Sequence, residues 1–450
     1  MDTNDTSKIS LIGSVALGTG VMIGAGIFAL VGQVAELAGS AVPWAFVAGA
    51  VVAAVSAYSY VRCASANPSS GGIAMILKAA YGPGVVAGTF SLFMYVSMIL
   101  AESLLARTFG TYVLRPFGLQ GSAIMVPGLA VLAIVLATSV NLVGNRWVES
   151  SATVTAILKI TGIAALAVAG IYATGLSSLS QIFETGAEAT PPRSGILGFL
   201  AGVTLCILAY KGFTTITNQG ADIRDPRRNI GRAIVISLVV CAVIYLLLAI
   251  AVTGSLSVAE IVDARDYALA EAAEPLFGSW GVWLTVAVAV VATMSGLIAS
   301  LYSVSRLYDM LRHMHQVPDV PGGVRRPSLL ITAAAAIVTA ALFDLSRIAS
   351  LGAMLYLSMD VAIHWGLLRR LRHDVNIKRW VPALAIVLDA LVLGPFVILT
   401  ARDGLLTLVI FGLVSAVIVF GQRAAVRHRD RTSAAPGVPN DGAGEGHDRP

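Results

Sequence analysis

Charged side chains interrupt several apolar stretches of this sequence, and they are the residues best suited to chemistry. Lys159 lies in the stretch VTAILKITG, Lys211 in LAYKGFTTITN and Glu102 in MILAESL. Because a charge is costly at membrane depth, each such residue is a candidate functional group. A buried ammonium gives up its proton more readily than one in water, so Lys159 suits a cycle that loads and unloads a proton. The alternative is a fixed cation that donates to backbone carbonyls.

The remaining buried charges allow more than one role. Lys211 could contact a substrate or act as a counter-charge, and Glu102 could receive a substrate amine or neutralise a lysine. Asp360 and His364 are one helical turn apart and could pair, whereas Asp389 stands alone. Polar contacts between helices are the simpler interpretation of these three. The sequence has no metal-ligand spacing, nucleotide-binding loop or nucleophile motif, so we expect no enzyme activity, metal or cofactor.

The composition predicts the elements that must hold these residues. Of the 450 residues, 57% are hydrophobic and 12% are charged, which excludes an ordinary soluble protein. We predict an all-α integral membrane protein with about 12 transmembrane helices. The apolar windows are 11–33, 41–61, 83–106, 122–143, 152–174, 195–218, 233–254, 279–303, 328–344, 347–368, 380–400 and 404–421.

The basic residues predict the orientation of these helices. Arginine and lysine concentrate in alternate connections, on the side that also holds the N-terminus, which predicts that both termini are cytoplasmic in a cell membrane. They form no single patch, so a nucleic-acid partner is not expected. Residues 1–10 are then a cytoplasmic N-terminus and residues 424–450 a disordered cytoplasmic tail. The connection 256–275 could hold a short external helix.

The first apolar stretch contains the glycine-rich run GTGVMIGAGIF, residues 18–28. Glycine disfavours helix by about 1 kcal/mol relative to alanine, so we predict a break between Ile23 and Ile27. The sixth stretch predicts a second break at Lys211 and Gly212. Paired interruptions of this kind build the substrate sites of secondary transporters. The alternative is close helix packing through small residues.

These residues resemble the amino acid–polyamine–organocation (APC) permease family. The runs IGAGIF (23–28), ASANPSSGG (64–72), YKGF (210–213) and DIRDPRRNI (222–230) are similar to that family's motifs in order and spacing. The resemblance implies a LeuT-like fold of two inverted five-helix repeats, 11–174 and 195–368, followed by two helices at 380–421. The sequence departs from the family pattern at Thr214, where many members have an acidic residue, and at Lys211 and Glu102.

The resemblance and the residues together predict a secondary transporter that moves an amino acid by alternating access, coupled to protons. The N–H groups of Gly24, Ala25 and Gly26 would bind the substrate carboxylate, and the carbonyls near Ile23, Tyr210 and Lys211 would accept from its ammonium. Lys159 falls where proton-coupled members carry a lysine, and it would hold the first and eighth helices near Gly20 and Ser295. The other expected pocket residues are Ile27, Tyr95, Met98, Glu102, Gly212, Phe213, Thr214 and Met294.

The sequence alone leaves other functions open. A polyamine, amine or amino acid exchanger is the main alternative, and a channel or a membrane sensor ranks lower. The expected partners are a small-molecule substrate, a proton and the lipid bilayer. The sequence does not predict the solute or the oligomeric state.

Overall fold

The computed structural model describes residues 8–69, 72–143, 145–175, 193–317, 326–371, 375 and 377–433. Within these ranges the chain is helical, and its one β-bridge joins Ile9 to Ile223. The helices are α1 (Leu11–Ala38), α2 (Val42–Ala66), α3 (Gly72–Tyr81), α4 (Val85–Leu114), α5 (Met125–Val143), α6 (Asn145–Thr174), α7 (Ile196–Tyr210), α8 (Thr214–Asn218), α9 (Pro226–Ser255), α10 (Val258–Asp263), α11 (Ala268–His313), α12 (Pro327–Leu342), α13 (Leu345–Gly366), α14 (Trp380–Asp403) and α15 (Leu405–Ser433).

The number of apolar helices agrees with the prediction. Ten stretches of the described chain are long and apolar enough to cross a membrane, and the longest, Leu11–Ala66, contains both α1 and α2. The apolar helix α12 is shorter, at 16 residues. When α1 and α2 are separated and α12 is included, the described residues contain twelve apolar helices that match the predicted spans. The other short apolar helix, α3, has 10 residues and matches none of them.

The interior of the bundle is built around α1. This helix packs along α7, α9 and α11, and α4 packs against α11 and α13. Four pairs of helices that correspond in the expected five-helix repeats contact each other: α1 and α7, α2 and α9, α4 and α11, α5 and α12. The polar groups described below therefore lie where several helices meet.

The predicted break in the first stretch is wrong, because α1 is one continuous helix of 28 residues. Its glycines serve close packing instead. A Cβ atom at Gly24 would lie 2.8 Å from the Ala292 carbonyl oxygen, and one at Gly26 would lie 2.2 Å from the Tyr245 hydroxyl. The space for neighbouring helices outweighs the low helix propensity of these residues.

The sixth stretch is interrupted, as predicted, although by a tight turn rather than an unwound loop. The helix α7 ends at Tyr210, a 3₁₀ segment covers Lys211–Phe213, and α8 follows it. A Cβ atom at Gly212 would lie 2.8 Å from the Met22 backbone nitrogen, so α1 presses directly on this turn. The 3₁₀ segment replaces the regular hydrogen bonds of an α-helix at this point.

The connection 256–275 contains helix, as expected. It includes α10 and the first turns of α11, which bends at Gly278 with φ of 61° and ψ of −154°. Only glycine adopts this conformation without strain. The last helix, α15, continues past Ala424 to Ser433, so the predicted tail is helical at its start. Residues 434–450, 1–7 and most of 177–194 lie outside the described residues.

Hydrogen bonds close the bundle at the end where α1 begins, which we call the Ile9 face. The Ile9 amide donates to the Asp222 carbonyl over 2.8 Å, and the Arg224 amide donates to the Ile9 carbonyl over 2.9 Å. The Arg306 guanidinium of α11 forms an ion pair with the Asp222 carboxylate. The segment before α1 is thus held against the segment after α8.

Polar side chains close the opposite end, which we call the Glu36 face. Gln33 donates to Asp266 over 2.8 Å and accepts from the Ser346 hydroxyl over 2.5 Å. Glu36 pairs with Arg265 at 3.2 Å. Burial raises the pKa of the Asp266 carboxyl above its ordinary value, against the opposing effects of the Arg265 charge and the Gln33 hydrogen bond.

The close approach of α1 and α11 predicts the effect of adding one methyl group. We expect Gly24→Ala to destabilise the folded protein by about 1–3 kcal/mol, because its Cβ would press on the backbone of α11. Gly412→Ala is the matched control, since nothing lies within 4 Å of a Cβ at that position. Thermal unfolding in detergent measures both. Equal midpoints for the two variants would contradict the packing role of Gly24.

Candidate functional site

The side chain of Lys159 links three helices. It projects from α6 and is 1% exposed. Its Nζ atom donates to the Gly20 carbonyl of α1 over 3.2 Å and to the Ser295 hydroxyl of α11 over 3.1 Å. The structure thus brings together the three residues expected to act together. A cation in this position holds α1 to α11 by charge-assisted hydrogen bonds.

The second buried lysine, Lys211, is held by α4 and α13. Its Nζ atom donates to the Ser97 carbonyl over 2.9 Å and to the Ser97 hydroxyl over 2.7 Å. It also lies 5.5 Å from the centre of the Tyr356 ring, on the face that attracts cations. The Ser97 oxygens and the Tyr356 ring therefore take the place of water around the Lys211 ammonium.

The carboxylate of Glu102 is fully buried on α4 and only partly satisfied. Its Oε1 atom accepts from the Ser300 hydroxyl over 3.4 Å, whereas Oε2 has no partner within the described chain. Lys211 acts on Glu102 electrostatically, but the described residues show no ion pair between them. A buried carboxylate oxygen without a donor is costly, so it is a place for a ligand or a proton.

Several other buried polar atoms without partners in the described chain lie on α8, directly after it and on α11. The helices are close, because α11 contacts both α4 and α8, and the Asn218 amide is 3.6 Å from the Met98 sulfur. We call Glu102 and these residues the polar seam. Its other members, each with at least one unpartnered atom in the described part of the chain, are Thr215, Asn218, Gln219 and Ser303.

The backbone groups predicted to bind substrate are not available in this structure. Since α1 is continuous, the N–H groups of Gly24, Ala25 and Gly26 belong to a helix and are not free for a carboxylate. The Lys211 carbonyl accepts the Thr214 hydroxyl over 2.9 Å. Ile23 is fully buried in the hydrophobic core.

The expected pocket residues point in different directions. The Phe213 ring packs edge-on against Tyr60 of α2 at 5.3 Å, and the Tyr210 hydroxyl donates to the Phe46 carbonyl over 3.2 Å. The Tyr95 hydroxyl is 3.0 Å from that of Thr332 on α12. Met98 contacts the polar seam, because its sulfur lies 3.6 Å from the Asn218 amide. Ile27 is buried in the hydrophobic core, and the partly buried Met294 packs against that core.

The seam residues that we did not predict carry only weak signals in the sequence. Thr215 and Asn218 are three residues apart in a run of threonines after Lys211, and Ser303 follows Ser300 by the same interval. Such spacing places pairs on one helix face. Isolated hydroxyl and amide residues are common in membrane helices, so spacing alone did not mark them.

The incomplete hydrogen bonding of Glu102 predicts a gain in stability when it is replaced. We expect Glu102→Leu to raise the free energy of unfolding by about 1–3 kcal/mol, because the cost of an unsatisfied buried group disappears. Thermal unfolding in detergent measures this, with Asp263→Asn on exposed α10 as the control. A clear loss of stability would instead make Glu102 a structural partner of Lys211.

Comparison with known proteins identifies the relatives of this chain. The family model described as amino acid permease matches residues 9–427. The inner membrane transport protein YbaT of Escherichia coli is 29% identical over 94% of this chain and 93% of its own length. The serine/threonine exchanger SteT of Bacillus subtilis is 24% identical over 71% of this chain and 72% of its own length.

Solved structures share the fold at much lower identity. A variant of the Eremococcus coleocola manganese transporter superposes with a TM-score of 0.64 at 12% identity, covering 94% of this chain and 95% of that one. This likeness and the order of the helices give the chain the LeuT-like fold expected from its sequence. The chain is a multi-pass membrane protein and belongs to the amino acid permease family.

Proposed function

We propose that this protein is a secondary active transporter that carries an amino acid across the cell membrane by alternating access and couples the movement to protons. Its membership of the amino acid permease family supports the substrate class. The proposal includes cytoplasmic placement of both termini, which the distribution of basic residues favours.

The observation that carries this proposal is the polar seam beside Lys211. An amino acid brings a carboxylate and an ammonium, and both are costly to remove from water. The unpartnered Oε2 of Glu102 offers an acceptor for the ammonium, and Lys211 offers a cation for the carboxylate. The amide of Gln219 and the hydroxyl of Thr215 add buried groups that a polar ligand would satisfy.

Closure at both faces supports an alternating-access cycle. The contacts of the Ile9 face and of the Glu36 face are hydrogen bonds and ion pairs, which can break one face at a time. A cavity of about 280 Å³ lies at the Glu36 face, lined by Arg193, Arg265, Asp344 and others. Its mixed charges suit a zwitterion, and we assign it as the outer vestibule.

Coupling to protons would operate through Lys159. The charged side chain binds α1 to α11, and loss of its proton removes the charge that strengthens both hydrogen bonds. In this proposal Lys159 gains and loses one proton in each transport cycle. Release would loosen α1 from α11 and bias the bundle towards opening.

Exchange of solutes is the second candidate mechanism. The relative SteT is a serine/threonine exchanger, and Glu102 would also suit a substrate with a second ammonium, such as a polyamine. Lys211 opposes a cationic substrate unless it moves away from the seam. Exchange and proton-driven uptake differ in whether an internal solute is required.

The first experiment identifies the solute and the transport mode. Purified protein in liposomes should take up a labelled amino acid, show saturation, and show counterflow when unlabelled solute is trapped inside. Competition across a panel of amino acids and amines ranks the substrates. Electrical conductance without saturation or counterflow would contradict the carrier and indicate a channel.

The second experiment tests coupling with two variants at one position. Lys159→Ala should abolish the dependence of uptake on a pH gradient, because no group remains to release a proton. Lys159→Arg should keep substrate binding but also lose proton-driven accumulation, since arginine stays charged. Uptake in liposomes under an imposed gradient measures both variants. Wild-type response to the gradient in either variant would refute the assignment.

A further inference from the structure

Three buried titratable side chains form a cluster away from the polar seam. Asp360 and His364 lie on α13 and Asp389 on α14, and the side chain of each is 0% exposed. The His364 Nε2 atom is 3.4 Å from Asp360 Oδ1 and 3.8 Å from Asp389 Oδ2. The imidazole therefore lies between two carboxylates in the interior of the bundle.

One side of this cluster is fixed by α2. Asp360 Oδ1 accepts from the Tyr60 hydroxyl over 2.5 Å, and Oδ2 accepts from the Ser56 hydroxyl over 2.7 Å. The Ser59 hydroxyl is 2.8 Å from Nδ1 of His364. Two hydroxyl donors from α2 therefore hold the Asp360 carboxylate in place.

The other side has polar atoms without partners. Among the described residues, neither oxygen of Asp389 has a hydrogen-bond partner, and neither does Nε2 of His364. An isolated anion beside the Asp360 carboxylate would be repelled by it and would have no solvent to stabilise it. Two ionised carboxylates this close to one imidazole repel each other, and binding of one proton relieves this repulsion.

We propose that Asp389, His364 and Asp360 form a second proton-binding site in this protein, separate from Lys159. Asp389 carries the proton and presents it to Nε2 of His364, while the hydrogen bonds from α2 hold the Asp360 carboxylate in place. Release of the proton leaves two carboxylates on one imidazole. When the proton is bound, the 3.8 Å distance between Asp389 Oδ2 and His364 Nε2 shortens to that of a hydrogen bond.

The cluster lies next to the 3₁₀ segment of the sixth stretch. The Tyr60 ring packs on Phe213, and the Tyr356 ring, one turn before Asp360, carries Lys211 on its face. The titratable groups that face Asp389 are thus Asp360 and His364, with Tyr60 from α2 and Tyr356 from α13, and Lys211 lies beyond Tyr356. A change of charge at Asp389 acts on the segment that positions Lys211.

Infrared difference spectroscopy of the purified protein in detergent tests this site without knowledge of the solute. The wild type should show a protonated-carboxyl band near neutral pH that shifts in heavy water and disappears in Asp389→Asn. Asp403→Asn, at an exposed carboxylate paired with Arg193, should leave the band intact. Because the infrared measurement does not involve transport, its result tests the proton site independently of the proposed function.

Two results would overturn the proton site. One is an identical band in the wild type and in Asp389→Asn. The other is a stoichiometric metal ion, found by elemental mass spectrometry in the wild type and lost in Asp389→Asn, because the same three ligands would then hold a cation. If Asp389→Asn does not fold, His364→Gln serves instead. His364→Gln removes the imidazole that accepts the Asp389 proton, so it should shift the protonated-carboxyl band. An unshifted band would overturn the proposal.

Discussion

The whole structure depends on satisfying charge inside a helical bundle that offers no water. A spanning helix can bond its own backbone, but a buried ammonium or carboxylate must find partners on other helices. Lys159 does so by joining α6 to both α1 and α11, and Lys211 by joining the 3₁₀ segment to α4. These contacts join helices that are distant in sequence, and the proposed coupling depends on a change in their charge.

Glycine explains why part of the fold could be predicted from sequence and part could not. The number of apolar helices and the interruption at Lys211 follow from composition and local backbone preference. The continuous course of α1 does not follow from them, because a glycine run is compatible both with a helix break and with close helix packing. The atoms that decide between them, at Ala292 and Tyr245, belong to distant parts of the chain.

The charged residues of the candidate site could be predicted from the sequence, but the side of each helix that faces a given neighbour could not. Lys159, Lys211 and Glu102 stand out because charges are rare in apolar stretches. Which side of a helix meets which neighbour is a tertiary property, so Phe213 and Tyr95 turned out to face α2 and α12. The unpartnered atoms of the polar seam become visible only when three helices are placed together.

A shared fold leaves the solute undetermined. The manganese transporter has the same architecture at 12% identity, so specificity must reside in side chains rather than in helix order. In this chain the distinctive side chains are an acid and a base flanking one seam, with a lysine that ties α1 to α11 nearby. The proposed amino acid substrate, with one ammonium and one carboxylate, would match this acid and this base.

The most direct test of this account is a distance measurement across the Glu36 face, because loosening α1 from α11 would change the positions of the segments at that face. Spin labels at exposed Ala259 and Leu119 report on the Glu36 face, and the three native cysteines are buried. The account predicts that raising the pH shifts the inter-label distance distribution in the wild type, and that Lys159→Ala shows the shifted distribution at every pH. A wild-type distribution that does not respond to pH, or a variant that responds as the wild type does, would contradict it.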